Sequence, residues 1–572
     1  MVTGLMCRCL QGVRVLFPFL VCLAVPFTMG AAAMDDARTI GSTGFEQGDW
    51  RALVAESHHG TVAFTEEDGA VISGRRSLLG DSRGSDSMWN EFFHSPTGLF
   101  EAKEAYAVSL RYRIAERGAD TGVYMLVRRP GRDGNTGWTD LEGETGSVQS
   151  ATLRFYSGNS SDWYLILGIR NRGAIVVDDL VVRTDPANRP PSYPLPTPRH
   201  TWDSPGDTAY YVDSVSGDDS RAGHSPETAW RSLDRINGGR FGPGDRILLK
   251  AGSRWTGYFA PGGAGAPGRP VVVDRYGDGP APQIDAEGKW LATVYLRNVE
   301  HWELHSLDIA NHGEKRQARR TGVQVSLENF GTARHIVLRN LHIHDVNGSN
   351  VKRAGGGSGI RIVRVEGERR SRYDGLLIEG CRLVRTDRNG INFRGYWSRD
   401  NWHPNLNVVI RNNRLEDFGG DGIVPIGCDG ALIEHNVLRN GRQRCRDAAA
   451  GIWPWSCDNT VIQFNDVSGM KGTVDGQGYD SDWNCRNTLF QYNYSHDNDG
   501  GFMLICTNGQ VTMPRSIGNI GTVIRYNISR NDRARTFHIS GPVQDTLIHN
   551  NVFYLGPELE VDWWRDGETY RL

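Results

Sequence analysis

The sequence lacks any dense run of basic residues, and 67 Asp and Glu outnumber 64 Lys and Arg, giving a formal net charge of −3 at pH 7. This balance argues against nucleic acid as a partner. The apolar stretch at residues 15–27 is too short for a comfortable membrane span, and Pro18 and Pro26 interrupt it. Cysteine is scarce, with nine in 572 residues, and the spacing of those after residue 33 favours packing over a disulfide framework.

The first 33 residues have the organisation of a secretory signal. Arg8 and Arg14 precede or flank the start of the apolar stretch, and small residues at 30–33 follow it. We therefore predict a signal peptide at 1–33, whose removal leaves no membrane anchor. The mature protein is expected to be secreted or periplasmic, and the sequence leaves its oligomeric state open.

Glycine is abundant, at 70 residues, and one short phrase of the form Val-Ile-x-x-Asn recurs through the C-terminal half. Its intervals are 23, 29, 28, 34 and 24 residues. A repeat of this length with two-residue alternation, rich in Val, Ile, Tyr and Phe, predicts stacked coils of short strands. The recurring asparagines are Asn413, Asn436, Asn465, Asn493, Asn527 and Asn551.

Stacking places equivalent residues of successive coils about 4.8 Å apart. The recurring asparagines are therefore predicted to form a ladder of amide hydrogen bonds with a structural role. Aligned on the same phrase, Cys428, Cys457 and Cys485 share one position in successive coils. Cys506 is predicted to continue this stack as small apolar filling.

The repeat resembles the right-handed parallel β-helix family of secreted polysaccharide-active proteins, over residues 207–572. Segments 210–213, 225–230 and 243–250 are similar to the N-terminal cap and first coil of such proteins. The resemblance implies an all-β solenoid that acts on a polysaccharide.

Residues 37–185 alternate short strands and polar turns, between an opening Gly44-Phe45-Glu46 and a closing apolar strand at 173–182. They resemble the jelly-roll β-sandwich of carbohydrate-binding modules. An aromatic platform for sugar and a purely structural role are both open for this domain; the platform candidates are Trp89, Trp138, Trp163 and Tyr164. Prolines crowd residues 186–206, which predicts a stiff linker between the two domains.

The middle coils carry carboxylates and tryptophans that are predicted to share one flank. Paired carboxylates serve glycoside hydrolysis as acid and as base or nucleophile, and crowding raises the pKa of one so that it keeps its proton. The catalytic candidates are Asp421, Asp447, Asp475, Asp480, Asp482 and Asp499. The substrate-binding candidates are Trp453, Trp455 and Trp483, with Arg388, Arg394 and Trp397 extending the groove for an acidic sugar.

Asp480 and Asp482 are the favoured pair. Residues that are two positions apart on a strand lie on the same face, about 6.6 Å from each other. A separation of this size between two carboxylates favours hydrolysis with inversion. Strict alternation places both in register with Ile423 and Ile452, so the sequence predicts a local bulge that turns them outward. Asp beside Gly is also common in turns, which gives Asp421 and Asp499 an alternative structural role.

No cofactor or metal is predicted, with Ca²⁺ as the one alternative because segment 475–482 is rich in oxygen ligands. His342 and His344 alternate on a strand, yet no third ligand stands at a suitable spacing, so surface turn residues are the favoured interpretation.

A glycoside hydrolase with paired Asp carboxylates is the preferred function. A polysaccharide lyase is the main alternative; it would act on a uronate-containing glycan by β-elimination and would use Lys471 or Arg388. A uronate epimerase and a non-catalytic exported glycan-binding protein are further alternatives.

Overall fold

The structure is a computed structural model, which describes residues 37–46, 61–118, 120–130, 135–158, 160–189, 194–507, 515–560 and 562–566. The predicted signal peptide lies outside the described residues. None of the described helices combines the length and apolar character needed to cross a membrane. The chain divides into two compact units, at 1–192 and 193–572.

The first unit is a β-sandwich of two antiparallel sheets. Alternating apolar residues of both sheets, among them Phe93, Met125, Leu167 and Val177, meet in one buried core. One sheet contains Thr39–Thr43, Thr61–Thr65, Ser77–Asp81, Gly173–Thr184, Ala105–Arg117 and Gln149–Tyr156. The other contains Trp89–His94, Tyr164–Arg170, Gly122–Arg128 and Asn135–Asp140.

The second unit is a parallel β-helix, in which successive coils contribute strands to three long parallel faces. Val, Ile and Leu at alternate positions point into the coils and form a continuous core. The first face contains Ala209–Val212, Arg246–Lys250, Val271–Tyr276, Trp302–His305, Thr332–Arg339, Arg372–Glu379, Asn405–Arg411, Cys428–Asp429, Leu432–Glu434, Val461–Gln463, Leu489–Gln491, Val523–Arg525 and Leu547–His549.

The other two faces follow the same order along the stack. The second contains Arg254–Thr256, Gln283–Asp285, Asp308–Asn311, His342–Val346, Arg382–Thr386, Arg414–Glu416, Val437–Arg439, Asp466–Ser468, Tyr494–His496, Ile528–Arg530 and Val552–Tyr554. The third contains Ala292–Arg297, Thr321–Glu328, Ser358–Val365, Asn389–Arg394 and Ile423–Val424, then Gln477–Ser481, Gly501–Cys506, Arg535–Ser540 and Asp562–Asp566. The single pairs Ile423–Ile452 and Ile452–Tyr479 join the two parts of this third face.

The remaining elements are short. Two small parallel sheets contain Trp202–Asp203, Gly239–Phe241 and Gly262–Gly263, and Cys485–Arg486, Asn519–Ile520 and Val543–Gln544. The helical segments are Pro186–Asn188, Pro226–Thr228, Leu233–Asn237 and Arg399–Asn401. The architecture confirms the predicted all-β chain, with a β-sandwich followed by a parallel β-helix.

The asparagine ladder forms as predicted. Nδ2 of Asn413 donates to Oδ1 of Asn436 at 3.0 Å, and Nδ2 of Asn436 donates to Oδ1 of Asn465 at 2.9 Å. The same contact continues through Asn493 and Asn527 to the last rung. Each ladder oxygen also accepts the backbone N–H of the preceding asparagine, so the ladder satisfies buried polar groups at the turn of every coil.

The cysteine prediction is right for three residues and wrong for the fourth. Cys428, Cys457 and Cys485 lie one above another, and the backbone N–H of Cys428 contacts Sγ of Cys457 at 3.4 Å. The next position of the stack belongs to Asn519, which pairs with Cys485. Cys506 instead ends a strand of the third face and pairs with Ser540, because the long coil between Asn493 and Asn527 shifts the simple alignment.

Replacing a central rung of the ladder should destabilise the fold. Asn465→Leu removes the acceptor of the backbone N–H of Asn436 and of one amide N–H of Asn436 in a buried turn, and it removes one of the two donors to Oδ1 of Asn493. Each buried group left without a partner costs roughly 1–3 kcal/mol. Urea unfolding followed by circular dichroism measures the loss. Asn551→Leu, at the partly exposed last rung, is the matched control, and equal losses in both variants would contradict a cooperative buried ladder.

Candidate active site

A groove runs along the outward face of the third strand set and contains adjoining pockets. The most acidic pocket has a volume of about 270 Å³. Lys352, Asp421 and Trp453 line both this pocket and the next one, so the two are continuous. The residues of the acidic pocket are Lys352, Asp421, Ala448, Ala449, Ala450, Trp453, Asp475, Asp480, Asp482, Trp483, Leu504, Cys506, His538 and Ser540.

The register of the third face decides which side chains reach this pocket. Tyr479, not Asp480, lies in register with Ile452 and Ile423, and Tyr479 is buried in the core. Asp480 and Asp482 therefore point outward by ordinary alternation. The predicted bulge was wrong, because the coils differ in length and the acidic segment is offset by one residue from the predicted alignment.

Like Asp421, Asp480 is a buried carboxylate of the pocket. It is 4 % exposed, and its Oδ1 has no hydrogen-bond partner among the residues that the structure describes. Burial, followed by repulsion from Asp482 and Asp475, raises the pKa of Asp480 well above its usual range. Asp480 therefore tends to hold a proton at neutral pH.

Asp482 lies beside Asp480 and is less enclosed. Burial raises its pKa to about 7, although the backbone N–H of Trp483, which donates to Oδ1 at 2.7 Å, favours the ionised form. A carboxyl group with this pKa exchanges its proton near neutral pH, as a general acid or base requires.

Asp475 reaches the pocket from a turn. Asp475 and Gly476 both have left-handed backbone conformations, with φ of 60° and 74°. Gly500 packs against this turn so closely that a Cβ there would lie 1.8 Å from the carbonyl oxygen of Asp475. Burial raises the pKa of Asp475, whereas the positive charges of Lys352, Arg535 and Arg442 oppose the rise. Among Asp475, Asp480 and Asp482, it is Asp475 whose ionised form is favoured by three cationic side chains.

Asp421 also lines the pocket, and both of its carboxylate oxygens already have partners. Its Oδ1 accepts from the backbone N–H of Ala450 at 3.1 Å and from Nε1 of Trp453 at 3.0 Å. Its Oδ2 pairs with Arg388 at 3.2 Å. These contacts fix the indole of Trp453, whose ring also lies 5.0 Å from Nζ of Lys352.

Two of the predicted catalytic residues are placed outside the pocket lining. Asp447 accepts the backbone N–H of Lys352 at 2.7 Å and pairs with Arg388 at 3.0 Å. Asp499 accepts the backbone N–H of Gly472 at 2.9 Å. Both therefore stabilise loops beside the pocket, whereas Asp421, Asp475, Asp480 and Asp482 are brought together within it.

Three of the predicted tryptophans form an aromatic wall beside the carboxylates, and two of them, Trp455 and Trp483, line the pockets of the groove. The rings of Trp397 and Trp455 stack at 5.2 Å with an interplanar angle of 19°, and Trp483 contacts both. All three rings are partly exposed, which gives the groove an aromatic surface next to the carboxylates.

The predicted arginines have different surroundings. Arg388 is 1 % exposed and paired with Asp421 and Asp447, so it fixes the positions of these two carboxylates. Arg394 lies farther along the groove and lines two adjoining pockets. Lys471, the residue named for the lyase alternative, is exposed and absent from the lining.

Sequence reasoning missed Lys352, His538 and Arg361. Lys352 comes from a loop four coils earlier in the stack, and His538 belongs to a later coil in register with Asp480. Neither lies near the acidic segment in the chain, so only the stacking register could have revealed them. For Arg361 the available signal was a basic residue between Ile360 and Ile362, at an outward position of the strand.

A possible metal-ligand group was also missed. Asp308, one coil before His342 and His344, contacts Nδ1 of His342 at 2.6 Å and Nε2 of His344 at 2.9 Å. The expected absence of a third ligand was wrong, since Asp308 lies close in space but 34 residues away in sequence. Among the described residues, Asp308, His342 and His344 are the group of three that could hold a metal ion. Binding of Ca²⁺ at segment 475–482 stays a prediction.

Comparison with known proteins identifies relatives of the solenoid. No family model matches the chain. A lacto-N-biosidase of Bifidobacterium longum subsp. longum is 29% identical over 452 residues, which is 62% of this chain and 28% of that enzyme. The chain therefore spans less than a third of the length of this curated relative.

Solved structures give a similar result. The crystal structure of a GH136 lacto-N-biosidase from Eubacterium ramulus matches with a TM-score of 0.52 and 25% identity, over 61% of this chain and 68% of that one. The selenomethionine derivative of the same enzyme matches equally well, at 26% identity. The chain is thus similar in sequence and fold to glycoside hydrolases, the enzyme class that its sequence predicts.

Replacing Asp480 tests the electrostatics of the pocket. Because the folded pKa of Asp480 is raised, this residue costs no stability below its unfolded pKa of 3.8. As pH rises from 3.8 toward the folded pKa, the free energy of unfolding of the native chain decreases. Asp480→Asn should therefore raise the melting temperature at pH 8 more than at pH 4.5. Differential scanning calorimetry at both values measures this. Asp466→Asn, which removes a partner of Arg439, should show no such gain, and an equal gain at both values would contradict the raised pKa.

Proposed function

We propose that this chain is an exported glycoside hydrolase whose acidic pocket cleaves a glycosidic bond. The observation that carries the proposal is a single pocket in which Asp475, Asp480 and Asp482 converge with pKa values raised by unequal surroundings. Groups of the same type whose pKa values are pushed apart divide into proton donor and ionised partner. The similarity to lacto-N-biosidases supports the reaction class.

Asp482 is proposed as the general acid. Its pKa of about 7 lets it hold a proton near neutral pH and release it to the oxygen of the leaving group. It also lies beside Trp483, a residue of the aromatic wall, so a sugar ring stacked there would bring its glycosidic oxygen toward this carboxyl group.

Asp475 is proposed as the ionised partner, which acts as nucleophile or as the base that activates water. The charges of Lys352, Arg535 and Arg442 favour the ionised form of Asp475, whereas burial and the repulsion of Asp482 and Asp475 oppose ionisation of Asp480. This assignment departs from the pair Asp480 and Asp482 that the sequence favours. Asp480 is instead proposed as a neutral positioning residue between the two.

The aromatic surfaces support a glycan substrate. Trp397, Trp455 and Trp483 would stack on sugar rings along the groove. In the β-sandwich, Trp89 and Trp138 are 43% and 40% exposed and lie in contact, which supports a sugar-binding role for that domain. Trp163 packs against the sandwich core instead.

Substitution of the carboxylates, together with product analysis, tests the proposal. Asp475→Asn and Asp482→Asn should each lower kcat by at least about a hundredfold, since each removes one half of acid–base catalysis. Asp499→Asn, outside the pocket, is the matched control and should retain activity. Mass spectrometry of products from neutral and uronate-rich polysaccharides should show fragments that have gained water.

Other outcomes of this experiment would overturn the proposal. Fragments with unsaturated ends would make the enzyme a lyase. Full activity in Asp475→Asn with loss in Asp480→Asn would restore the pair Asp480 and Asp482. Absence of fragments from every substrate would favour the epimerase or the glycan-binding protein.

The proposed acid also predicts the pH dependence. Asp482 must be protonated in the free enzyme, and its raised pKa is about 7, so kcat/KM should fall tenfold per pH unit above about pH 7. Initial rates from pH 4 to 9 measure this limb. In Asp482→Glu the longer side chain changes the surroundings of the carboxyl group, so the pH above which kcat/KM falls should shift. If this pH is the same as in the native chain, another residue causes the fall.

A further inference from the structure

The groove contains a second charged region, formed by arginines several coils away from the carboxylates. Arg361 and Arg394 line the pocket of about 470 Å³ and the pocket beside it, and Arg319 lies at the edge of the first. Arg361 and Arg394 come from neighbouring strands of the third face, Ser358–Val365 and Asn389–Arg394. Their side chains point outward, toward the groove.

Arg361 lacks the partners that the other buried arginines have. It is 8 % exposed, its Nε has no hydrogen-bond partner, and no ion pair of Arg361 occurs among the described residues. Arg364, on the same strand, donates to the carbonyl oxygens of Gly395, Ile426 and Gly427. Arg388 is neutralised by two carboxylates.

The surroundings of Arg361 are also electrostatically unfavourable. Burial, with the charges of Arg394 and Arg319 adding to it, lowers its pKa to about 9. Glu328, the one carboxylate that lines the pocket of about 470 Å³, is bonded to Arg297 at 2.6 Å. Asp421, which lines the adjoining pocket, is paired with Arg388 at 3.2 Å. A buried guanidinium without a counter-charge costs stability, so the chain retains positive charge here that its own residues do not neutralise.

We propose that Arg319, Arg361 and Arg394 form a subsite for an anionic group, a carboxylate or a sulfate, carried by the glycan substrate. Guanidinium groups bind such anions through paired, charge-assisted hydrogen bonds. This inference rests on the proposed function, because the same groove leads to the acidic pocket.

The register sets the distance between the two regions. Arg361 pairs with Asn392, Asn392 with Val424, and two further coils lead through Ile452 to the strand of Asp480. Four steps of about 4.8 Å span about 19 Å. The anionic group therefore belongs several sugar rings from the bond that is cleaved, which makes the substrate an extended oligosaccharide or a polysaccharide.

Ion-specific thermal stabilisation tests the subsite without requiring turnover. Sodium sulfate and sodium acetate are titrated at constant ionic strength against the native chain, Arg361→Leu, Arg394→Gln and Arg414→Gln, with the melting temperature as readout. Arg414 is an exposed residue of another face, paired with Glu416, and is the matched control. It also reports the general stabilisation that sulfate gives to any protein.

The native chain and Arg414→Gln should show saturable stabilisation beyond the general effect, because an anion that binds the folded state raises its stability. Arg361→Leu and Arg394→Gln should weaken the apparent affinity about tenfold or more. Without anion, Arg361→Leu should melt higher than the native chain, since it removes an uncompensated buried charge. A larger effect of sulfate points to a sulfated glycan, and an equal or larger effect of acetate points to a uronate.

Equal stabilisation of all four proteins would overturn the subsite, as would a lower melting temperature of Arg361→Leu combined with native anion binding. Neither result bears on hydrolysis. Conversely, anion binding by a chain that cleaves no glycan would leave the subsite in place and overturn the proposed function alone.

Discussion

The parallel register between successive coils is the constraint on which the rest of this structure depends. Every coil must place its strands about 4.8 Å above the last, with the same residues facing inward. The asparagine ladder maintains this register at one turn by joining each coil to the next through side-chain and backbone hydrogen bonds. Because the core is continuous, a side chain that faces outward on one coil has neighbours at fixed positions above and below it.

The acidic pocket follows from this geometry together with burial. Asp480 and Asp482 lie on a strand of regular alternation, whereas Asp475 enters through a left-handed turn that leaves the regular path. The three groups carry the same chemistry but differ in enclosure and in the cations around them. The unequal rises of their pKa values therefore follow from position in the stack, not from residue type.

Much of the fold could be predicted from the sequence, since the repeated phrase reports the coil length and its alternation reports the strands. The asparagine ladder and three stacked cysteines follow directly from that repeat. Cys506 and the bulge at Asp480 were mispredicted because coils vary from 23 to 34 residues, so alignment between phrases drifts by one or more residues. Lys352, His538 and the contact of Asp308 with two histidines needed the three-dimensional register, because their neighbours lie one to several coils away.

The stacking also makes the length of the groove a discrete quantity. The arginine region and the carboxylates are separated by a whole number of coils, and each coil is an independent stretch of chain with its own turns. Loss or duplication of one coil between them would change the separation by a single step while leaving both charged regions intact. A groove built in this way can therefore become longer or shorter by whole coils while it keeps the same charged region at each end.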